Sequence, residues 1–134
     1  MHYSPFFDLA LPGLIYAAAG GMLAIIFAAF VIVLIESIIL WRLKWGSLAR
    51  SLLAGFVMNF ATSVLGLGLI AALLYLGYWG ILIDFILSVL VEGGILLLFK
   101  RGAARENWKA ALIVNAASYL LVILPMYLLL GLLG

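Results

Sequence analysis

Four polar residues within long apolar runs are the strongest candidates for chemistry in this chain. They are two acids, Glu36 and Glu92, and two amides, Asn59 and Asn115. An ionisable side chain in such a run costs about 2.5–3.5 kcal/mol to place in a membrane on insertion scales, so it is a functional candidate by default. Together the four predict a buried polar layer that binds a proton or a cation. The alternative is that each acid and amide only join two helices, which contributes about 0.6 kcal/mol and at most about 2.

A third acid, Asp84, precedes Glu92 in the same apolar run. Asp84, Ser88 and Glu92 follow one another at intervals of four residues, which places them on one face of a helix. This spacing predicts a relay or an ion entry path that leads inward to Glu92. In the alternative interpretation, Asp84 lies at a wet boundary and Ser88 bonds to the backbone.

Most other catalytic chemistries lack their residues in this sequence. There is no cysteine, and the single histidine, His2, lies outside the apolar runs, so thiolate sites and bis-histidine haem ligation are excluded. Neither a glycine-rich phosphate loop nor a nucleophile elbow appears. We therefore expect no catalytic residue, no bound metal and no cofactor, and we expect that the protein is not an enzyme.

The amino-acid composition indicates which kind of secondary structure positions these residues. The chain has 134 residues, of which 69% are hydrophobic and 9% are charged, whereas soluble domains average about 25% charged residues. So few charges do not cover a water-exposed surface. The apolar runs are continuous, without the alternation of a barrel strand, and at about 20 residues per span the length suits four helices. The sequence predicts a single all-α integral membrane domain of four transmembrane helices in contact with the lipid bilayer.

All basic residues fall in two short windows between the apolar runs. They are Arg42, Lys44 and Arg50 in the first window, and Lys100, Arg101, Arg105 and Lys109 in the second. The positive-inside rule places both windows in the cytoplasm, and the N- and C-termini then lie outside. These charges are interpreted as topology signals of a plasma or inner membrane protein rather than as a nucleic-acid surface.

The sequence also contains an internal repeat that aligns without a gap. Over residues 33–65 against 89–121, 11 of 33 positions are identical, and the matches include rare Glu, Lys, Gly and Asn residues. Thr62 against Ser118 adds a hydroxyl match. We interpret this as two duplicated antiparallel hairpins related by a pseudo-two-fold axis along the membrane normal. The predicted boundaries are an outer lead-in 1–11, a first hairpin 12–76, an outer turn 77–80 and a second hairpin 81–134.

Small residues recur every four positions in two of the predicted helices. In the first helix they form two stripes, one of Gly13, Ala17 and Gly21 and one of Gly20, Ala24 and Ala28. Both stripes predict close packing against another helix. In the second helix Ser51, Gly55, Asn59 and Ser63 predict a stripe that faces protein, and Ser47 is the expected N-cap.

Two functions from different classes remain open at this point. The first is a non-catalytic membrane subunit or scaffold that packs in a larger complex or a homo-oligomer. The second is a small proton- or cation-coupled transporter or channel that uses Glu36 and Glu92. Four spans in so short a chain, with an acid in the first, resemble the small multidrug-resistance exporters in plan. The chain departs from that family in its internal repeat, its second acid and its lack of the family's local motifs.

Overall fold

The structure is a computed structural model that describes the backbone of residues 5–129 and the side chains of 19–69, 75–77, 79–126 and 128–129. These residues form helices and turns, and they divide into two compact units, Met1–Phe30 and Val31–Gly134. Among the described residues, four helices are long and apolar enough to cross a membrane, namely Ala19–Arg42, Leu48–Leu69, Trp79–Phe99 and Ala104–Met126. The predicted all-helical architecture with four such helices is confirmed.

The helix bounds follow the predicted order. They are α1 Pro5–Arg42, α2 Leu48–Tyr75, α3 Tyr78–Phe99 and α4 Ala104–Ser118, after which a π-helical turn Tyr119–Ile123 leads into α5 Leu124–Leu129. Residues 130–134, the end of the predicted second hairpin, lie outside the described part of the chain, as do residues 1–4 of the predicted lead-in.

Two predicted boundaries differ from the structure. The described part of α1 already includes residues 5–11, so the helix extends before Pro12, near which the sequence predicts that the first span starts. The predicted four-residue outer turn is shorter, since α2 ends at Tyr75 and α3 begins at Tyr78. Gly77 has a φ of 53°, and this single left-handed residue reverses the chain within two residues.

The turn between α1 and α2 is closed by backbone hydrogen bonds. Lys44 has a φ of 56°, and the N–H of Trp45 donates to the carbonyl of Leu40 at 3.0 Å. This is the arrangement in which a left-handed residue ends a helix and satisfies its last carbonyls. The hydroxyl of Ser47 then accepts a hydrogen bond from the N–H of Arg50 at 3.3 Å, so the expected N-cap is confirmed.

The core of the unit Val31–Gly134 is small and unusually polar. Its buried apolar residues are Leu40, Trp45, Ala54, Met58, Leu96, Ala110, Ala111 and Val114, and its buried polar residues are Glu36, Ser37, Ser51, Ser88, Glu92, Asn107, Asn115 and Ser118. Large hydrophobic side chains cover the outer faces instead, for example Phe56, Leu67 and Leu98. Hydrophobic side chains on the outer faces and polar side chains in the core are the distribution that a lipid environment favours.

The small-residue stripes behave differently in the two helices. In α2, Ser51 and Gly55 are buried and Asn59 is half-buried, but Ser63 is exposed. Ser63 therefore does not face the rest of this chain, because the stripe leaves the core where α2 passes beyond Asn59. In α1, Gly20, Gly21 and Ala24 are exposed and Ala28 is half-buried. The side chains at Gly13 and Ala17 lie outside the described residues.

Neighbouring glycines in α3 have opposite surroundings. A Cβ atom on Gly93 would overlap the indole ring of Trp108, whereas one on Gly94 would meet nothing within 4 Å. Gly93 is therefore required by the close approach of α4.

We expect Gly93→Ala to lower the free energy of unfolding by about 1–3 kcal/mol, because the ring of Trp108 must shift to admit the methyl group. The matched variant Gly94→Ala has no such contact and should unfold at the temperature of the parent protein or slightly above it. Thermal unfolding in detergent, followed by tryptophan fluorescence, measures both. Equal effects of the two substitutions would contradict the close packing of α3 and α4.

Candidate functional site

The first predicted acid and amide form a hydrogen-bonded pair between α1 and α2. The Nδ2 atom of Asn59 donates to Oε2 of Glu36 at 2.6 Å and to the carbonyl oxygen of Gly55, one turn earlier, at 2.9 Å. Glu36 is 1% exposed. Because a buried carboxyl is costly without a hydrogen-bond partner, the amide stabilises the acid, and the backbone of its own helix holds the amide in place.

The second acid and amide repeat this arrangement between α3 and α4. The Nδ2 atom of Asn115 donates to Oε2 of Glu92 at 2.6 Å and to the carbonyl oxygen of Ala111 at 2.9 Å. Glu92 is 2% exposed and Asn115 is 1% exposed. The same donor atom, acceptor atoms and distances therefore occur in both hairpins, at positions that the internal repeat aligns.

The two pairs lie close to one another rather than in separate parts of the molecule. The carboxyls of Glu36 and Glu92 are near enough to interact electrostatically. Each acid also has a hydroxyl from the opposite hairpin beside it: Ser118 of α4 lies near Glu36, and Thr62 of α2 lies near Glu92. The two acid–amide pairs are therefore neighbours, with Glu36, Glu92 and Asn115 buried and Asn59 half-buried.

The two hydroxyls were not among the predicted site residues. Ser118 donates to the carbonyl oxygen of Asn115 at 3.1 Å, and Thr62 is 3.2 Å from the carbonyl oxygen of Asn59. Each hydroxyl therefore bonds to the backbone of the amide residue one turn earlier. Their match in the repeat, Thr62 against Ser118, was the signal that could have placed them in the layer.

Two of the three predicted relay residues, Asp84 and Ser88, are joined by a side chain from another helix. The hydroxyl of Tyr119 donates to Oδ2 of Asp84 at 2.5 Å and lies 3.3 Å from Oγ of Ser88. Within the described residues, neither Asp84 nor Ser88 is hydrogen-bonded to the other or to Glu92. Tyr119 was not predicted, because nothing in the spacing of α3 indicates which residue of the following helix faces it.

The backbone explains how Tyr119 reaches this position. It is the first residue of the π-helical turn that follows α4, and such wide turns inside helices frequently occur at functional sites. Its ring meets the ring of Phe85 edge to face, with centroids 5.1 Å apart. The tyrosine is therefore held both by its hydroxyl and by its ring.

The two turns that carry the basic residues are linked side by side. Lys100 donates from Nζ to the carbonyl oxygen of Trp45 at 3.3 Å, and the guanidinium of Arg50 donates to the carbonyl oxygen of Phe99. The indole N–H of Trp45 donates to Oδ1 of Asn107 at 2.7 Å. Because these contacts cross from one turn to the other, both basic windows lie at the same end of the unit.

The other basic side chains surround this end. Those of Arg42, Lys44, Arg101, Arg105 and Lys109 are exposed. The single ion pair among the described residues joins Lys100 to Glu106 at 2.7 Å. An open cavity of about 440 Å³, bordered by Arg105 and Lys109, lies at the N-terminus of α4, and a smaller one of about 190 Å³ lies beside it. Neither cavity is lined by the buried acids.

Known proteins add no further information on this arrangement. No family model, no curated protein and no solved structure matches the chain.

Proposed function

We propose that the chain is an integral membrane protein whose four helices span the bilayer. The support is the distribution of polarity. Exposed Phe27, Phe56 and Leu98 contrast with fully buried Glu36, Glu92 and Asn115. A water-soluble protein would reverse this distribution, whereas in lipid the polar groups must find partners inside the protein.

The two hairpins are proposed to be duplicated units related by a pseudo-two-fold axis along the membrane normal. The internal repeat aligns Glu36 with Glu92, Asn59 with Asn115 and Thr62 with Ser118. The contacts between the hairpins follow the same alignment: Ser118 of the second hairpin lies by Glu36, and its aligned counterpart Thr62 of the first hairpin lies by Glu92. Such reciprocity is expected of a two-fold axis and has no reason to occur between unrelated hairpins.

The end that carries both basic turns is proposed to face the cytoplasm of a plasma or inner membrane. Seven basic residues and one acid, Glu106, lie at or near this end. The turn at Gly77 and both chain termini then lie on the outer side.

This orientation predicts opposite labelling of two single cysteines, for which the cysteine-free chain is a ready background. Leu76→Cys and Ala104→Cys replace exposed residues in or beside the outer and inner turns. In intact cells, an impermeant maleimide should label Cys at position 76 and should label position 104 only after the membrane is opened. Labelling of both positions in intact cells, or of position 104 alone, would contradict the proposed topology.

Within the membrane, we propose that the protein is a non-catalytic subunit or scaffold. The observation that carries this proposal is the pairing of each buried acid with an amide across its own hairpin, at 2.6 Å in both cases. Such pairs fix the register of two helices whose apolar faces would slide in lipid. The cavities described above border the basic turns and do not reach the acids.

The segment of α1 within Met1–Phe30 supplies a surface for a second protein or a second copy. Gly20, Gly21 and Ala24 are exposed, and a Cβ on either glycine would meet nothing within 4 Å. Small residues at this spacing let another helix approach its backbone closely.

Gly20→Leu combined with Ala24→Leu should therefore abolish association, because two bulky side chains keep the partner helix away. The measurement is chemical crosslinking in native membranes, followed by purification and mass determination of the crosslinked species. The control Ile25→Leu, at a residue that is 65% exposed, adds no volume and should preserve the parent pattern. Retention of the complex by the double variant would remove this surface from the proposal.

A second candidate function is proton or cation transfer through the buried layer. The observation that favours it is the proximity of Glu36 and Glu92 to one another. Two separate helix-joining pairs do not require this proximity, since each acid is already satisfied by its own amide. Two carboxyls that share one low-dielectric site do not readily ionise together, so they share a proton or a cation.

Flux through proteoliposomes distinguishes the two candidates. If the layer transports protons, a pH-sensitive dye reports flux in the parent protein, and the double variant Glu36→Gln with Glu92→Gln loses it. Glu106→Gln is the matched control, because Glu106 is an exposed acid in a surface ion pair worth about 0–1 kcal/mol. If the protein is a scaffold, all three proteins show the flux of empty liposomes. The double variant then loses only modest thermal stability, since Gln still accepts from Asn.

A further inference from the structure

The hydroxyl of Tyr119 fills a gap in the polar face of α3. Asp84, Ser88 and Glu92 lie one helical turn apart, and no hydrogen bond joins any two of them in the described structure. Tyr119 donates to Asp84 at 2.5 Å and is 3.3 Å from Ser88. It therefore links two residues that the helix alone does not connect.

The remaining step, from Ser88 to Glu92, covers one turn of α3. Residues four apart on a helix have Cβ atoms about 5–6 Å apart, a distance that one water molecule bridges between two polar groups. Ser88 is 8% exposed and Glu92 is 2% exposed. The polar face thus leads from half-buried Asp84 to the buried layer through neutral hydroxyl groups.

The first hairpin has no counterpart of this polar face. When the repeat alignment is extended in both directions from the acids, Ala28 stands for Asp84, Ile32 for Ser88 and Ser63 for Tyr119. Ile32 has no group to donate or accept a proton, and Ser63 is exposed. The polar face therefore leads to Glu92 alone, although both acids have the same amide partner.

We propose that Asp84, Tyr119 and Ser88 form a one-sided proton path that connects Glu92, and not Glu36, to the membrane side of the α2–α3 turn. This proposal rests on the second candidate function and specifies its route. Asp84 takes a proton from that side, and the hydroxyl of Tyr119 turns from Asp84 toward Ser88. Asp84 then passes the proton to the oxygen of Tyr119 as Tyr119 passes its own proton to Ser88. Ser88 in turn passes its proton to the Glu92 carboxylate through the bridging water. All groups except Glu92 end unchanged, and release reverses the steps.

The charged groups around this route support its direction. The titratable groups that face Glu92 and Tyr119 among the described residues are Glu36 and Asp84. The basic side chains lie in the turns at the other end of the helices. No cation on the described part of the route therefore competes for the carboxylate or fixes it in the ionised form.

The test is the rate at which the Glu92 carboxyl exchanges its proton for deuterium. The protein is reconstituted in vesicles and transferred from H₂O to D₂O, and the carbonyl stretch of protonated carboxyls is followed by infrared spectroscopy. The Glu92→Gln and Glu36→Gln variants assign the two bands. Tyr119→Phe should slow exchange of the Glu92 band by about 100-fold, the lower range for loss of a proton-transfer group, and should leave the Glu36 band unchanged.

Two further variants keep the result decisive. Tyr75→Phe removes the hydroxyl of a tyrosine that is 90% exposed, and it should exchange at the parent rate. If Tyr119→Phe does not fold, Asp84→Asn removes the entry of the path and should slow proton exchange at the Glu92 band. Unchanged exchange in a folded path variant overturns the path but leaves proton transfer through the layer intact. Absence of any Glu92-dependent band overturns the path together with the second candidate function.

Discussion

The structure depends on the requirement that a carboxyl removed from water must have hydrogen-bond partners. Glu36 and Glu92 are 1% and 2% exposed, and each receives a hydrogen bond from an asparagine on the neighbouring helix. The amide also donates to a carbonyl oxygen one turn earlier in its own helix. The position of each carboxyl is thereby tied to the backbone of the helix opposite, and this fixes the register of both hairpins. Apolar contacts alone specify register poorly where lipid chains compete for the same surface.

Close helix packing accompanies these pairs, and it is achieved differently in the two hairpins. In the first, Ser37 on α1 faces Gly55 on α2, where a Cβ would overlap the serine hydroxyl. At the aligned positions the second hairpin has Gly93 on α3 and Ala111 on α4. The smaller residue has changed helix while the hairpin still packs closely, so the repeat preserves the space between helices rather than the identity of each residue.

Much of this architecture was predictable because its signals are local or symmetric. Continuous apolar runs predicted four long helices, and the acids and amides within them predicted polar contacts between helices. Contacts between helices that are distant in sequence had no such signal. The bond from Trp45 to Asn107 and the reach of Tyr119 to Asp84 depend on the rotation of α4 about its axis, and in the case of Tyr119 on a π-helical turn. The exposure of Ser63 was not predictable for a similar reason, because a four-residue spacing does not indicate where along the helix its face leaves the core.

The repeat is least exact just after the basic turns, over residues 47–53 against 103–109, where the two hairpins have diverged in their polar partners. Asn107 receives a bond from Trp45 and donates to the carbonyl oxygen of Lys100. Its counterpart Ser51 is equally buried, and its hydroxyl has no partner among the described residues. Lys100 pairs with Glu106, whereas the corresponding positions, Lys44 and Arg50, are both basic.

The linked turns also determine where the hairpins are able to separate. Lys100 donates to the carbonyl oxygen of Trp45, and Arg50 donates to the carbonyl oxygen of Phe99. Each hairpin is therefore hydrogen-bonded to the backbone of the other at one end. At the opposite end α2 and α3 are joined by two residues that include a left-handed glycine. The two central helices, α2 and α3, are therefore tied to one another at both ends. Sliding of α2 along α3 would break the hydrogen bonds at the basic end and strain the two-residue turn at the other.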